Sequence, residues 1–400
     1  MVSVDEALAI VARSCSPGRG EFVPLAESFG RVLAKAVTSD VAWPPFDTSA
    51  MDGYAIRVAD LEAGRPLTVS ARAAAGDAPG VPLPPGEAIR VMTGAPLPDG
   101  ADTIVPVEVA DAQSEPGRVS FRETPSRGDH VRRMGESIAA GTELLPAGRR
   151  LDPAGVALAA LAGAEPVFVH RRPRVTVAVT GNELVSAGRQ PGAGQLRDSN
   201  GPMLLALCRG RGVSAAAKLP VSDDEEAVRL LFAKAGDDED VLITSGGVSA
   251  GDFDLLPAAA ERAGFEMLFH GVAMRPGKPV AFARRGATLW LGLPGNPVSS
   301  AVCFRLFGRR ALDALEGDDA PGPRFLRARV ARSLSVRGRR ETYRDARLDR
   351  SGSRIRIDAL EGRGSHDLAA HAAADALLRI PAGAESLAEG DEVDYLPFEG

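Results

Sequence analysis

Between residues 171 and 315, short apolar runs alternate with helical patterns, and each run empties into glycine, hydroxyl or carboxylate residues. "RVTVAVTG" reads as a strand and "NGPMLLALCRGRG" as a helix closed by glycine. "SAAAKLPV" is a second strand, and "DDEEAVRLLFAKAG" a helix with acidic residues at its positive end. "DVLITSGG", "LLPAAAERAG", "ATLWLGLPG" and "NPVSSAVCFRLFGRRALDAL" continue as strand, helix, strand and long helix. This alternation predicts a doubly wound parallel sheet with helices on both faces. In such a sheet, ligands sit beyond the carboxyl ends of the strands.

The flanks have another character, and 400 residues exceed what one core usually serves. "SVDEALAIVARS" puts Val4, Leu8 and Val11 on one helical face, with Ser3 and Glu6 spaced as a capping box. "PLAESFGRVLAKAV" reads as a second helix. Residues 44–135 hold short β-like runs between Pro, Gly and Asp turns. "DPAGVALAALAGAEPV" returns to helix, with an Asp cap and Pro at the first helical position. We therefore expect an α/β multidomain chain. Residues 1–43 and 136–170 form an N-terminal helical unit, and 44–135 an inserted β-rich module. Residues 171–318 form the α/β domain and 319–400 a C-terminal β domain.

Composition removes several function classes. The net charge is −6 and no Lys/Arg block appears, which argues against bulk nucleic-acid binding. Cys15, Cys208 and Cys303 are isolated, which fits a reducing compartment and no disulfide framework. The histidines lack metal-ligand spacing. No apolar stretch approaches roughly 18 residues, so no membrane span is expected. The N-terminus lacks a basic region followed by an apolar one, and a cytoplasmic location is expected.

The strand ends are where chemistry should collect. After the first strand come Thr180, Gly181, Asn182 and Glu183; after the second, Ser222, Asp223 and Asp224. The third is followed by Ser245, Gly246, Gly247, Ser249, Asp252 and Asp254, and the last by Pro294, Gly295, Asn296 and Pro297. Glycine-exposed amides suit phosphate, and carboxylates beside phosphate imply Mg²⁺. "MRPGKP" adds Arg275 and Lys278, a local cation pair on an acidic protein. Singly these features are ordinary: a Gly-Gly turn is common, and two of Asp223, Asp224 and Glu225 suffice as helix caps. Four such loops on one edge favour a phosphate-bearing ligand. A second concentration, "PPFDTSAMDGYAIR", sets Asp47, Ser49 and Asp52 beside Phe46, Met51 and Tyr54. "MTGAPLP" and the Arg132–Arg133 pair lie further on; alone, these read as solvated turns and a surface basic pair.

Together, "PPFDTSAMDGYAIR", "VMTGAPLPDGADTIVPVE", "RRMGESIAAG", "DSNGPML", "TSGGVSAGDFD", "RPGKP" and "GLPGNPVSSAV" resemble the bacterial molybdopterin molybdenumtransferases (MoeA) and the E domain of gephyrin. The resemblance runs from the first helix to about residue 310 and weakly to the end. It implies a four-domain subunit in an elongated homodimer. Adenylylated molybdopterin and molybdate would be the substrates, molybdenum cofactor and AMP the products, and Mg²⁺ would be required. It also implies substrate handover from the adenylyltransferase of the same pathway. Carried onto this chain, Asp52 and Thr93 would reach over from the second subunit. Glu183, Asp223 and Asp254 would hold Mg²⁺ or the phosphate side. Ser245, Gly246, Gly247 and Ser249 would cradle phosphate. Arg275, Lys278, Pro294 and Pro297 would line the molybdate and pterin end, with Arg339, Arg340 and Ser365 near the oxyanion. The chain carries Ser137 and Asn182 where members of that family commonly have Asp, and Arg275 where they often have Lys. Rival readings are the preceding adenylylation step, tungstate insertion, a gephyrin-type receptor-anchoring scaffold, and a sugar-nucleotide or amidase-like relative of the same sheet.

Overall fold

The computed structural model describes residues 1–61, 65–222, 224–236, 239–248, 255–336 and 338–398. Two compact units emerge. The smaller comprises Ala36–Pro146 and Pro153–Val167; the larger comprises Met1–Lys35, Ala147–Asp152 and Phe168–Gly400.

The larger unit opens with α1 (Val4–Ser14), which has the expected capping box. The Glu6 backbone N–H donates to Ser3 Oγ (3.2 Å), while Ser3 N–H donates to Glu6 Oε2 (2.8 Å). Val4, Ala7 and Val11 are buried. The second helix expected here is absent. Gly20–Val23 is a strand, and only one 3-10 turn, Leu25–Glu27, follows. Pro24 is extended in front of that turn and Gly30 has φ +72°, so a helix cannot run on. Val32 and Leu33 are instead buried in bridges to Arg150 and Val169.

In the smaller unit a six-stranded sheet is built from β1 (Gly53–Ile56), β2 (Leu67–Ala73), β3 (Glu87–Val91), β4 (Thr103–Pro106), β5 (Ala110–Asp111) and β6 (Arg118–Phe121). The strand order is β4-β1-β3-β2-β6-β5, and only β2 and β3 pair in parallel. Alternate residues serve two clusters. Ala55, Ile89 and Ile104 lie in one; Tyr54, Ile56, Ala88 and Val105 lie in the other. Helix α2 (Pro153–Leu161) starts with proline as its first residue.

The larger unit's central sheet contains β7 (Val175–Thr180), β8 (Ala215–Val221), β9 (Val241–Ser245) and β10 (Glu266–His270). After β11 (Met274–Arg275), which joins another sheet, β12 (Ala281–Arg285) and β13 (Thr288–Leu293) complete it. The order is β8-β7-β9-β13-β12-β10. The first four are parallel as expected; β12 and β10 add an antiparallel edge that the alternation did not announce. Val177, Ile243 and Leu291 face a cluster shared with α1, α3 (Asn200–Gly210), α6 (Pro297–Cys303) and α7 (Arg309–Leu315). Ala178, Leu242 and Trp290 face α4 (Glu225–Ala233) and α5 (Leu255–Arg262). A π-helical segment, Phe304–Gly308, joins α6 to α7, so the long helix is interrupted in its middle.

Beyond residue 319 the chain forms β14 (Leu326–Val330), β15 (Glu341–Asp349), β16 (Arg356–Ala359), α8 (Leu368–Ala372), β17 (Ala376–Ile380) and β18 (Glu392–Pro397). The strands pair β15-β16-β14-β18-β17, and β17 returns to β15, closing a small barrel around Ala328, Ile357, Leu378 and Tyr395. β11 attaches outside it, with Met274 opposite Glu341 and Arg275 opposite Thr342. Among the described residues no helix is long and apolar enough to cross a membrane.

Candidate active site

Strand register puts four loops on one edge of the central sheet. Val179 lies opposite Ser245, Ser245 opposite Leu293, and Gly292 opposite Ala281. Residues 180–183, 245–247, 293–297 and the turn before β12 therefore share that edge. Hydrogen bonds sew it together. Thr180 Oγ1 donates to Ser245 O (3.4 Å), and Ser222 Oγ donates to Asn182 Oδ1 (3.1 Å). Gly246 N–H donates to Leu293 O (3.1 Å). Gly246 has φ +100°, and a side-chain carbon there would lie 2.8 Å from Thr180 O, so glycine is needed at this position. The Glu183 carboxylate is exposed, and its oxygens would lie 2.8 Å from a side-chain carbon at Gly181.

Asn200, the first residue of α3, was not singled out in the sequence. It is only 7% exposed. Its Nδ2 donates to Ser245 Oγ (2.8 Å) and to Gly295 O (2.7 Å). A carbonyl can only accept, so the orientation of the amide is fixed. One side chain thus fastens the turn after β9 to the turn after β13. Pro294 is buried beside it, and Pro297 begins α6. Replacing Asn200 by Leu removes both bonds without changing volume greatly, and should cost about 1–2 kcal/mol in urea unfolding. A change inside the error of the midpoint would rule out the clamp.

The cationic side of the edge is held by the segment 274–280. Arg275 and Lys278 are both exposed. Gly277 has φ +102°, and a side-chain carbon there would collide with Cys303 Sγ of α6. That contact seats the turn on the helix. Arg340 Nη1 donates to Met274 O (3.1 Å), next to Arg275. Ser365 meets the start of α6: Asn296 Nδ2 donates to Ser365 Oγ (2.9 Å), and Val298 N–H donates to Ser365 O (3.1 Å). Arg339 is exposed, one residue before Arg340.

Two expected residues belong to the smaller unit. Thr93 donates to Asp52 Oδ1 through its N–H (2.7 Å) and its hydroxyl (2.8 Å). These bonds, the backbone one first, hold the exposed Asp52 carboxyl below its ordinary value. Its neighbours are structural instead: Asp47 accepts from Arg133 Nη1 (2.6 Å) and Met134 N–H (2.8 Å), and the buried Ser49 hydroxyl donates to Met51 O (2.6 Å). Thr93→Val removes one of the two bonds, so the Asp52 pKa should rise; a carboxyl-carbon NMR titration reads it. The sign follows from linkage. A depressed folded pKa contributes stability above the unfolded value, and this is lost as pH falls through the folded one.

Asp223, Ser249, Asp252 and Asp254 lie outside the described residues. Asp224, beside the first, caps α4: Ala227 N–H donates to its Oδ1 (2.7 Å). Among the described residues no group of three His, Cys, Asp or Glu side chains could hold a metal ion.

Similarity to known proteins covers the chain in three blocks. Residues 2–163 match the MoeA N-terminal region (domain I and II), 176–314 the "Probable molybdopterin binding domain", and 327–398 the MoeA C-terminal region (domain IV). Molybdopterin molybdenumtransferase 2 of Mycobacterium tuberculosis is 38% identical over 404 residues, covering 98% of each chain. The chain belongs to the MoeA family. A second MoeA-type relative, the molybdopterin molybdenumtransferase of a Nostoc species, is 37% identical, covering 93% of this chain and 87% of its own. A crystal structure of the molybdopterin biosynthesis MoeA protein of Pyrococcus horikoshii OT3 superposes with a TM-score of 0.85 at 27% identity, covering all of both chains. The α/β multidomain architecture is therefore that of MoeA proteins.

Proposed function

We propose that this transferase of the MoeA family is a molybdopterin molybdenumtransferase, inserting molybdate into adenylylated molybdopterin with release of AMP. What supports this reading is the strand register, which sets the turns of Glu183, Ser245–Gly247 and Pro294–Pro297 on one sheet edge together with the turn that carries Lys278 into β12. The Ser245–Gly247 turn binds phosphate, as does Ser249. Arg275, Lys278 and Arg340, with Arg339 and Ser365 beside them, gather the molybdate dianion. Pro294 and Pro297 wall the pterin end. Capture of molybdate and cleavage of the phosphoanhydride are coupled because both substrates share this rim, and positioning contributes more than any single acid or base.

The protein acts as a homodimer, with Asp52 and Thr93 supplied by the second copy of the chain. It receives its pterin from the adenylyltransferase of the same pathway. A cytoplasmic setting suits its three free cysteines. Mg²⁺ dependence belongs to the same proposal. The described residues alone do not complete a magnesium site, since only Glu183 of the expected ligands is among them. Asp223 and Asp254 would have to supply the rest, and no step is derived through the ion.

Anaerobic incubation with adenylylated molybdopterin, Mg²⁺ and molybdate tests the reaction. AMP should appear in proportion to molybdate, and added ATP should remain intact. In a parallel arm supplied with unmodified molybdopterin, ATP consumption with release of pyrophosphate would assign the chain to the preceding adenylylation step. Equal AMP yield with tungstate would widen the oxyanion substrate.

A further inference from the structure

We infer that the larger unit carries a second anion site, built by Arg211, Arg305 and Arg309 for a phosphate-class dianion, free or as the monoester of a small molecule. It does not rest on the reaction proposed above. The site is a cavity of about 340 Å³ at the far ends of two helices that begin at the sheet edge. Helix α3 starts there with Asn200 and reaches the cavity at Leu207 and Arg211; α6 starts with Pro297 and reaches it through the π segment. At 1.5 Å per residue, each route is roughly 12–18 Å long. Phe398 and Leu396 from the end of the barrel close the other wall.

Among the described residues, charge around this cavity is not balanced. Asp313 pairs with Arg211 and, at 3.7 Å, with Arg309, but it also serves Arg150 at 3.1 Å. Arg305 has no carboxylate partner among the described residues. Its Nη1 donates to Phe398 O (3.1 Å), and its guanidinium lies 4.1 Å over the Phe398 ring. Asp345, the acidic group whose field reaches Arg305, is taken by His371 at 2.7 Å. Among the described residues the Nε–H groups of Arg211, Arg305 and Arg309 are enclosed without a hydrogen-bond acceptor, with Asp313 Oδ2 3.7 Å from that of Arg309. Among the described residues, Arg211 and Arg309 thus share one carboxylate that Arg150 also claims, and Arg305 has none, which leaves the lining net positive. Burial, with Arg309 nearby, brings Arg305 down to about 10, so it still carries its charge at neutral pH.

The backbone gives an independent pointer. Arg305 sits in the Phe304–Gly308 π segment, and such single-turn interruptions inside helices occur frequently at functional sites. Guanidinium forks arriving from two helices match the oxygens of a tetrahedral dianion better than those of a planar carboxylate. The cavity is larger than a bare phosphate, and Leu207 offers an apolar wall for an ester body.

Calorimetric titration of the full chain with inorganic phosphate, molybdate and AMP, in separate arms, tests the site. Phosphate should still bind a Lys278→Ala variant, whose edge site is impaired. Added to that background, Arg305→Gln should weaken binding about tenfold, the effect of losing one charge-assisted contact. Leu207→Glu keeps every arginine but places a carboxylate on the cavity wall, and should do the same. It decides the matter if Arg305→Gln fails to fold by circular dichroism. On an otherwise wild-type chain, either substitution should leave molybdate-dependent AMP release unchanged. Tighter binding of AMP than of phosphate would identify an esterified ligand; equal binding would identify the free ion. Loss of all phosphate binding in Lys278→Ala, or undiminished binding in both cavity variants, overturns the inference.

Discussion

Arg150→Met should lower the stability of the larger unit by about 3–5 kcal/mol, seen as a drop in the urea midpoint. The reason is one guanidinium shared by three carboxylates. Arg150 lies 3.1 Å from Asp313 and 3.0 Å from Asp318, with Glu316 at 2.5 Å, and each acidic side chain is only 3% exposed. It also donates to Gly30 O at 2.8 Å. Asp313 keeps Arg211 and Arg309, but Glu316 would be left with Arg172 at 3.8 Å. A buried carboxylate without a close partner is the expensive case. Burial already raises the Glu316 pKa despite Arg150, so losing the arginine raises it further. A group raised in the fold loses stabilisation as pH climbs through its folded value. The deficit of the variant should therefore grow with rising pH and shrink in acid. Arg327 and Glu392 make the contrasting case: their side chains are 70% and 53% exposed, and Arg327→Met should leave the urea midpoint within experimental error.

Lys278→Ala should reduce molybdate-dependent AMP release by about 10²–10³-fold, the scale seen when one preorganised charge contact is removed from a reacting group. Asp52→Asn should be impaired as well. The informative measurement combines them. If the second copy supplies Asp52, a mixed dimer of the two variants contains one site with both residues intact. Co-expression with random pairing should then recover about a quarter of the wild-type rate. If each chain used its own Asp52, every site in the mixture would be defective and no recovery would appear.

The parallel strands were legible because strands buried on both faces must be apolar throughout, and "VTVAVT" and "VLITS" leave little else to be. The antiparallel edge was not. "EMLFH" is short and mostly unburied with charged ends, and "AFARR" has only three buried apolar residues before two arginines, so both resemble the connections around them. "PLAESFGRVLAKAV" carried helical spacing, but Pro24 and Gly30 outweighed it. Loops at strand ends could be grouped from the alternation alone. What holds them could not: Asn200 reaches partners 45 and 95 positions away, and Arg150 partners 163 to 168 away. The pairing of Asp52 with Thr93 spans 41 positions and shows in the sequence only through resemblance.

The borrowed strand β11 has a practical meaning for anyone dividing this chain. It covers the outer rim of β15 at Glu341 and Thr342, and it runs straight into the turn that carries Lys278. Excising everything after residue 319 as a detachable module would bare that rim, an invitation to aggregation. The piece left behind would lose the anchor that steadies its cationic turn. Swapping C-terminal barrels between relatives should therefore succeed only when the residues from 274 to 280 travel with them.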